Sequence, residues 1–202
     1  MSTALASPRR RLSREDRRRQ LIDVSWKIAQ GEGADALTLG RLAEQAGVAK
    51  PVVYDHFGTR HGLLAALYQD YDRQQSAGMA QALAASPRTA ADKARIIADA
   101  YVDCVMAQGR KLAGVAAALE GSAELAAVKR QCDGAFLDQC KAALDPFAAG
   151  GVSRTSLVGA LGAAEALSHA AAAGEVAPDE ARAELAAVIL ASVERSNAHR
   201  AE

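Results

Sequence analysis

The stretch TLGRLAEQAGVAKPVVYDHF, residues 38–57, decides how this chain folds. Thr38 is a good N-cap for a helix carrying Leu39, Leu42, Ala43 and Ala46 before Gly47 ends it. A second short helix covers about Lys50 to Phe57, with Pro51 in its first turn, where the missing N–H costs nothing. Two short helices joined by a glycine-bearing turn have the length and punctuation of a helix-turn-helix. Helical phase then separates the faces: Val48, Val53 and Phe57 point toward the preceding helices, and Lys50 and Tyr54, four apart, share the opposite face with Ala49 and Val52. That outer face is free to enter a major groove.

Upstream, Ser13 with Asp16 three residues on resembles a capping box, and a first helix runs to about Gln30, where Gly31 and Gly33 are expected to stop it. Leu21, Ile22, Ser25, Ile28 and Ala29 give it one buried stripe. The chain of 202 residues is neutral overall, but residues 1–62 hold 11 Lys and Arg against 7 Asp and Glu, so the positive charge is concentrated in this part. Its densest run is Arg9, Arg10, Arg11, Arg14, Arg17, Arg18 and Arg19; the part before Ser13 reads equally as a flexible basic arm.

These residues resemble the TetR family over roughly residues 14–65. Leu42, Ala43, Ala46, Gly47, Val48, Tyr54, His56 and Phe57 stand where that family's signature asks for them, and Thr59, Arg60, Leu63 and Leu64 match the usual opening of its fourth helix. The resemblance implies base readout by Lys50, Pro51 and Val52, and phosphate contacts by Thr38, Tyr54, His56 and Arg60. Gly40 departs from the longer polar residue many relatives carry, which leaves Arg41 as the candidate on the second helix. Taken without the family pattern, Tyr54 and His56 read equally as packing residues of a three-helix core.

Downstream, half of the residues are apolar, only 4% are aromatic, and alanine is abundant, so strands are hard to place and the class is all-α. Helices are expected at about 59–84, 87–108, 110–120, 122–144, 153–173 and 178–198, with stops at Gly109, Gly121, the Pro146–Gly151 stretch and Gly174. The domains expected are a basic arm over 1–12, a three-helix helix-turn-helix DNA-binding domain over 13–58, and a helical ligand-binding and dimerisation domain over 59–202. One recognition helix reads few base pairs, so such modules work as homodimers on palindromic operators, with half-sites about 34–36 Å apart. The last two helices are the expected interface, through Leu157, Ala160, Leu161, Ala164 and Ser168 and through Leu185, Val188, Ile189 and Ser192; the alternative is that these stripes pack within one protomer. The resemblance also implies a small-molecule effector pocket in the middle helices. Tyr68, Tyr71, Tyr101, Cys104, Gln131 and Phe136 are its candidates, against the alternative that they are ordinary core.

No run approaches the roughly 20 apolar residues of a membrane span, and a cytoplasmic protein is expected. His56, His61, His169 and His199 lack partners at ligand spacing, and neither HExxH nor a glycine-rich phosphate loop occurs, so neither an enzyme, a metal site nor a cofactor is expected. Two rivals stay open. Cys132 and Cys140, eight apart, suggest a redox sensor, and the basic N-terminal part alone would also suit an architectural DNA-binding protein without an effector. Repression rather than activation follows only from what most of the resembled family does.

Overall fold

The structure is a computed structural model and describes residues 12–86, 89–111, 113–119 and 121–198. Arg9, Arg10 and Arg11, with nearly all of the expected arm, lie outside the described residues, as does His199. Among the described residues all regular structure is helical: α1 (Arg14–Glu32), α2 (Leu39–Ala46), α3 (Lys50–Phe57), α4 (Arg60–Ala85), α5 (Ala90–Lys111), α6 (Ala113–Leu119), α7 (Ala123–Leu144), α8 (Arg154–Ala173) and α9 (Pro178–Ala198). Short 3-10 turns occupy Ala34–Ala36 and Asp145–Phe147. The all-α expectation holds.

The helix starts follow side-chain chemistry. Ser13, Thr38, Ser122 and Ser153 each accept a hydrogen bond from the backbone N–H three residues on, satisfying a donor that the first turn would otherwise leave orphaned. Two expected stops fail for one reason. α1 passes through Gly31 and ends at Gly33, whose φ of 88° leaves the helical region, and α5 passes through Gly109 to Lys111. A glycine inside a helix costs only about 1 kcal/mol against alanine, too little by itself to end it. α5 also begins at Ala90 rather than near Pro87, which lies outside the described residues, and Thr89 supplies its cap by accepting from the Asp92 N–H at 3.1 Å.

The chain divides into two compact units, residues 1–67 and 68–202. The division falls inside α4, after the fully buried Leu63, Leu64 and Leu67, and not at the helix break near residue 58. In the first unit α1 packs on α2 and α2 on α3. Leu21, Ile22 and Ile28 of α1, Leu39, Leu42 and Ala43 of α2, and Val53 and Phe57 of α3 are buried together. The buried Ser25 hydroxyl is satisfied locally, donating to the Leu21 carbonyl at 2.7 Å.

Between α3 and α4 the chain turns so tightly that a Cβ at Gly62 would lie 2.2 Å from the Phe57 carbonyl oxygen. Only a residue without a side chain fits there.

In the second unit α5 packs against α7, α8 and α9, and α8 packs against α9. Ala98 and Val102 of α5 and Leu185 of α9 are fully inaccessible, and Ala94, Ala160, Ala164 and Ala181 are buried around them. Alanine abundance thus serves close approach of helices rather than loose solvation.

The stripes expected to join two protomers are consumed within one. Leu157, Ala160, Ala164 and Ser168 of α8 and Leu185, Ile189 and Ser192 of α9 are buried in the protomer core, with Leu161 and Val188 packed against it. Periodicity identified a buried face on each helix correctly; it carries no information about which chain covers that face.

Replacing Gly62 by alanine forces a backbone shift at the exit of α3. We expect Gly62→Ala to lower unfolding stability by about 1–3 kcal/mol in urea titration; unchanged stability would show that the α3–α4 turn relaxes freely.

Candidate nucleic-acid interface and helical-domain cavity

The α2–α3 turn is built by Gly47, which sits in the left-handed region at φ 63° and ψ 38°. Its N–H and that of Val48 close the end of α2 by donating to the Ala43 carbonyl, and Gly47 also reaches Glu44. Ala49 then starts α3 without a side-chain cap, and Pro51 occupies its first turn. With Val53 and Phe57 fixed in the core, rotation of α3 is set: Ala49, Lys50, Pro51 and Tyr54 are exposed, Val52 is half-buried, and Tyr54 keeps 54% of its surface accessible. The candidate base-reading residues therefore share one solvent face, and Val48 is half-buried beside them. A Cβ at Gly40 would approach the Lys50 side chain at 3.9 Å, so the small residue on α2 leaves space beside that lysine.

The carbonyl end of α3 is held by α1. Arg14 donates to the Asp55 carbonyl at 3.4 Å and lies 3.7 Å from its carboxylate; Arg18 donates to the His56 carbonyl at 3.3 Å and stacks 5.2 Å from the Phe57 ring centre. Cations at the negative end of a helix stabilise it, and these also fill acceptors that the last turn leaves open. This bracing role of Arg14 and Arg18 was hidden in the sequence inside a run of arginines; their i, i+4 spacing on α1 is the signal that could have separated them. His56 is half-buried, and burial first, then the Arg14 charge, hold its imidazole below the ordinary histidine value, so it is neutral at pH 7.

Three candidate phosphate or base contacts have other work. The Thr38 hydroxyl accepts from the Arg41 N–H at 3.1 Å as the α2 cap, and its own proton remains available on an exposed side chain. Arg41 forms a two-pronged pair with Glu32, at 2.9 and 3.1 Å, and a third contact with Glu44 at 3.1 Å. Arg60 is half-buried: it donates to the Leu37 carbonyl at 3.1 Å and the Ala34 carbonyl at 2.9 Å, bracing the 3-10 turn ahead of α2, and lies 3.7 Å from the Asp35 carboxylate. Its observed part is thus to satisfy backbone acceptors in the α1–α2 connection, which have no partners in a ladder.

Within the second unit a cavity of about 860 Å3, its open mouth included, lies among α4, α5, α7 and α8. Of the six candidates, Tyr68, Tyr71, Tyr101, Cys104 and Phe136 line it. Gln131 does not; it is exposed, with its side-chain carbonyl accepting from Gln69 at 3.1 Å. Aromatic scarcity pointed at the cavity, whereas Gln131 lies one residue from the lining residue Cys132 and so turns outward. Tyr71 donates its hydroxyl to the Cys104 carbonyl at 2.9 Å, and Tyr101 meets the Phe136 ring edge-on at 5.1 Å.

Sequence reading passed over the charged groups of this lining: Asp72, Asp133, Glu165, Lys129 and His169. Burial raises the Asp72 and Asp133 carboxyls, with the Glu165 charge adding to the effect at Asp133. Nothing in periodicity marks these acids as inward-facing, because they interrupt rather than join an apolar stripe.

Burial also pushes the thiols up, Cys104 to about 11, Cys132 to about 12 and Cys140 to about 12. Thiolates are the reactive species, so these environments oppose a peroxide-sensing role. Among the described residues no group of three His, Cys, Asp or Glu side chains is placed to hold a metal ion, and no helix is long and apolar enough to cross a membrane.

A braced three-helix unit that exposes one face of its second turn-joined helix defines the helix-turn-helix class of nucleic-acid-binding modules. The model of the family described as bacterial regulatory proteins, tetR family, matches residues 21–67 of this chain. The chain is 33% identical to the HTH-type transcriptional activator FasR of Mycolicibacterium smegmatis over 98 residues, 47% of this chain and 43% of that one, so the match spans less than half of that activator. A tetR-family transcriptional regulator of Streptomyces coelicolor superposes with a TM-score of 0.63 at 20% identity, covering 93% of this chain and 85% of that one. FadR of Bacillus subtilis, solved in complex with stearoyl-CoA, gives 0.59 at 18% identity, covering 87% and 97%. At these identities the structural matches concern the fold.

Two outcomes test this description. Arg60→Ala is expected to cost about 1–3 kcal/mol of stability in chemical denaturation, as the loss of charged hydrogen bonds does; a variant as stable as the parent would show that Arg60 is free to meet phosphate. Raising a thiol from about 9 to about 11 cuts its thiolate fraction roughly a hundredfold. Alkylation of the folded protein at pH 7.5 is therefore expected to run at least about a hundredfold slower than in urea, and equal rates would revive the redox reading.

Proposed function

We propose that this protein is a sequence-specific, dimeric transcription regulator that represses from a palindromic operator and is released when a small molecule occupies the α4–α8 cavity. The observation that carries it is the outward face of α3, where Lys50 and Tyr54 are exposed on a helix whose rotation is set by buried Val53 and Phe57. Lys50 donates to guanine O6 and N7, Pro51 and Val52 offer apolar contact to a thymine methyl, and Ala49 lets the backbone approach. Tyr54, His56 and Thr38 donate to phosphates and fix register. Arg41 joins them by exchanging Glu44 for a phosphate while Glu32 keeps its hold.

Dimerisation through the last two helices needs a face that the protomer leaves open. On α8, Val158, Gly159, Gly162 and Ala166 are exposed along one line, with 52% of Val158 accessible; on α9, Ala183 and Ala187 are exposed and Leu190 and Ala191 half-buried. Small residues at these steps let a second pair of helices approach closely, which supports a four-helix contact between protomers. Release follows if the ligand fits one conformer better than the DNA-competent one, since it shifts the equilibrium by its differential affinity. α4 is the natural lever, carrying Arg60 near its start and the cavity residues Tyr68 and Tyr71 further along one unbroken helix. FasR is named an activator, so the sign of regulation is read separately, in a reporter strain lacking the gene.

Selection from a randomised duplex library at near-physiological salt should recover one palindrome, and Lys50→Ala or Tyr54→Ala should lower affinity for it by about 1–3 kcal/mol. Retained DNA with no shared motif would favour an architectural protein. Val158→Arg should convert the dimer to monomer in sedimentation and weaken operator binding while leaving helicity intact; a dimer that survives both Val158→Arg and Gly162→Arg would place the interface elsewhere.

A further inference from the structure

We propose that the cavity takes an organic cation with an aromatic or otherwise apolar body, packed against Tyr68, Tyr101 and Phe136 with its positive charge toward Asp72, Asp133 and Glu165. This deepens the reading of the cavity as the effector site and rests on it. Three carboxylates line the cavity against one lysine, Lys129, and none of the three is ion-paired to a basic side chain among the described residues.

Their surroundings compensate little of that charge. Asp72 has the Cys132 thiol as a hydrogen-bond partner, which supplies no formal charge, and Asp133 feels Glu165 and Asp72 more than it is relieved by Lys129. Burial raises the proton affinity of both aspartates, and a cation brought against them would favour their charged form. The acids are spread too widely to share one metal ion, which suits a charge on a larger body. Aromatic rings supply the rest: the edge-on Tyr101–Phe136 pair and the buried Tyr68 offer apolar contact and negative ring faces, which attract cations. Tyr71 spends its hydroxyl on the Cys104 carbonyl and so donates nothing toward an anion.

An anionic ligand meets the opposite situation. The solved FadR that binds stearoyl-CoA shares the fold at 18% identity, yet the phosphates of such a molecule would face three carboxylates in this lining.

Tetraphenylphosphonium and tetraphenylborate, nearly identical in size and opposite in charge, separate the cases. Calorimetric titration of the full chain in sodium buffer should give phosphonium binding at least about tenfold tighter than borate, about 1.4 kcal/mol. The double variant Asp133→Asn, Glu165→Gln should lose at least about tenfold of the phosphonium affinity, with circular dichroism unchanged; Asp72→Asn gives an independent variant should the double one misfold. Borate or stearoyl-CoA binding as tightly as phosphonium overturns the proposal, as does no phosphonium binding, or phosphonium binding that ignores these substitutions. Operator occupancy is followed in parallel. Charge-selective binding that leaves the operator complex intact would sink the release mechanism and leave the cavity's chemistry standing, and failure to bind any operator would sink the regulator reading alone.

Discussion

The carbonyl end of α3 is the point on which the N-terminal unit depends. The Phe57 oxygen lies where a side chain at Gly62 would have to go, the Asp55 and His56 carbonyls accept from Arg14 and Arg18, and the Phe57 ring is buried beneath Arg18. An eight-residue helix is too short to hold itself together in water. Its shape and rotation come from neighbours: apolar contacts on one side, cations at its negative end, and a glycine that lets the next helix begin at once. A helix so restrained presents Lys50 and Tyr54 in one orientation, which suits the groove reading proposed for it, because loss of orientational freedom has already been met in folding rather than in binding.

The helical unit solves a different problem. With few aromatics to fill space, it brings helices close through alanine and fills the gaps with leucine, isoleucine and valine around α5. Aromatic residues are then available for the cavity, where Tyr68, Tyr71, Tyr101 and Phe136 gather. The half-buried Asp72 and Asp133 among them would be costly in a plain core, since a carboxylate away from water needs a partner. Their presence beside an open mouth is therefore more telling than the apolar lining.

Arginine roles divide in the same way. Arg14, Arg18, Arg41 and Arg60 all come from the basic part of the chain, yet each is committed to a protein acceptor: a helix end, a pair of glutamates, or a turn carbonyl. Positive charge in the sequence thus overstates the charge free to meet phosphate.

The sequence by itself determined the helix-turn-helix, because its cues are local. Caps at Ser13 and Thr38, the left-handed turn at Gly47, Pro51 in a first turn and the three-and-four spacing of apolar residues act within a few residues of themselves. It determined the all-helical character of the rest for the same reason, and most helix ends, except at Gly31 and Gly109, where the local cost of a glycine is too small to stop a helix. Local cues also picked out the aromatic members of the cavity by their rarity. Only tertiary structure decided what covers each buried face: that Leu157 and Leu185 serve the protomer core, that Arg60 turns to the Leu37 carbonyl, that Gln131 faces outward, and that Asp72, Asp133 and Glu165 converge on one cavity from three helices. Those outcomes depend on contacts between residues far apart in the chain, and a one-dimensional period records that a face is buried without recording against what.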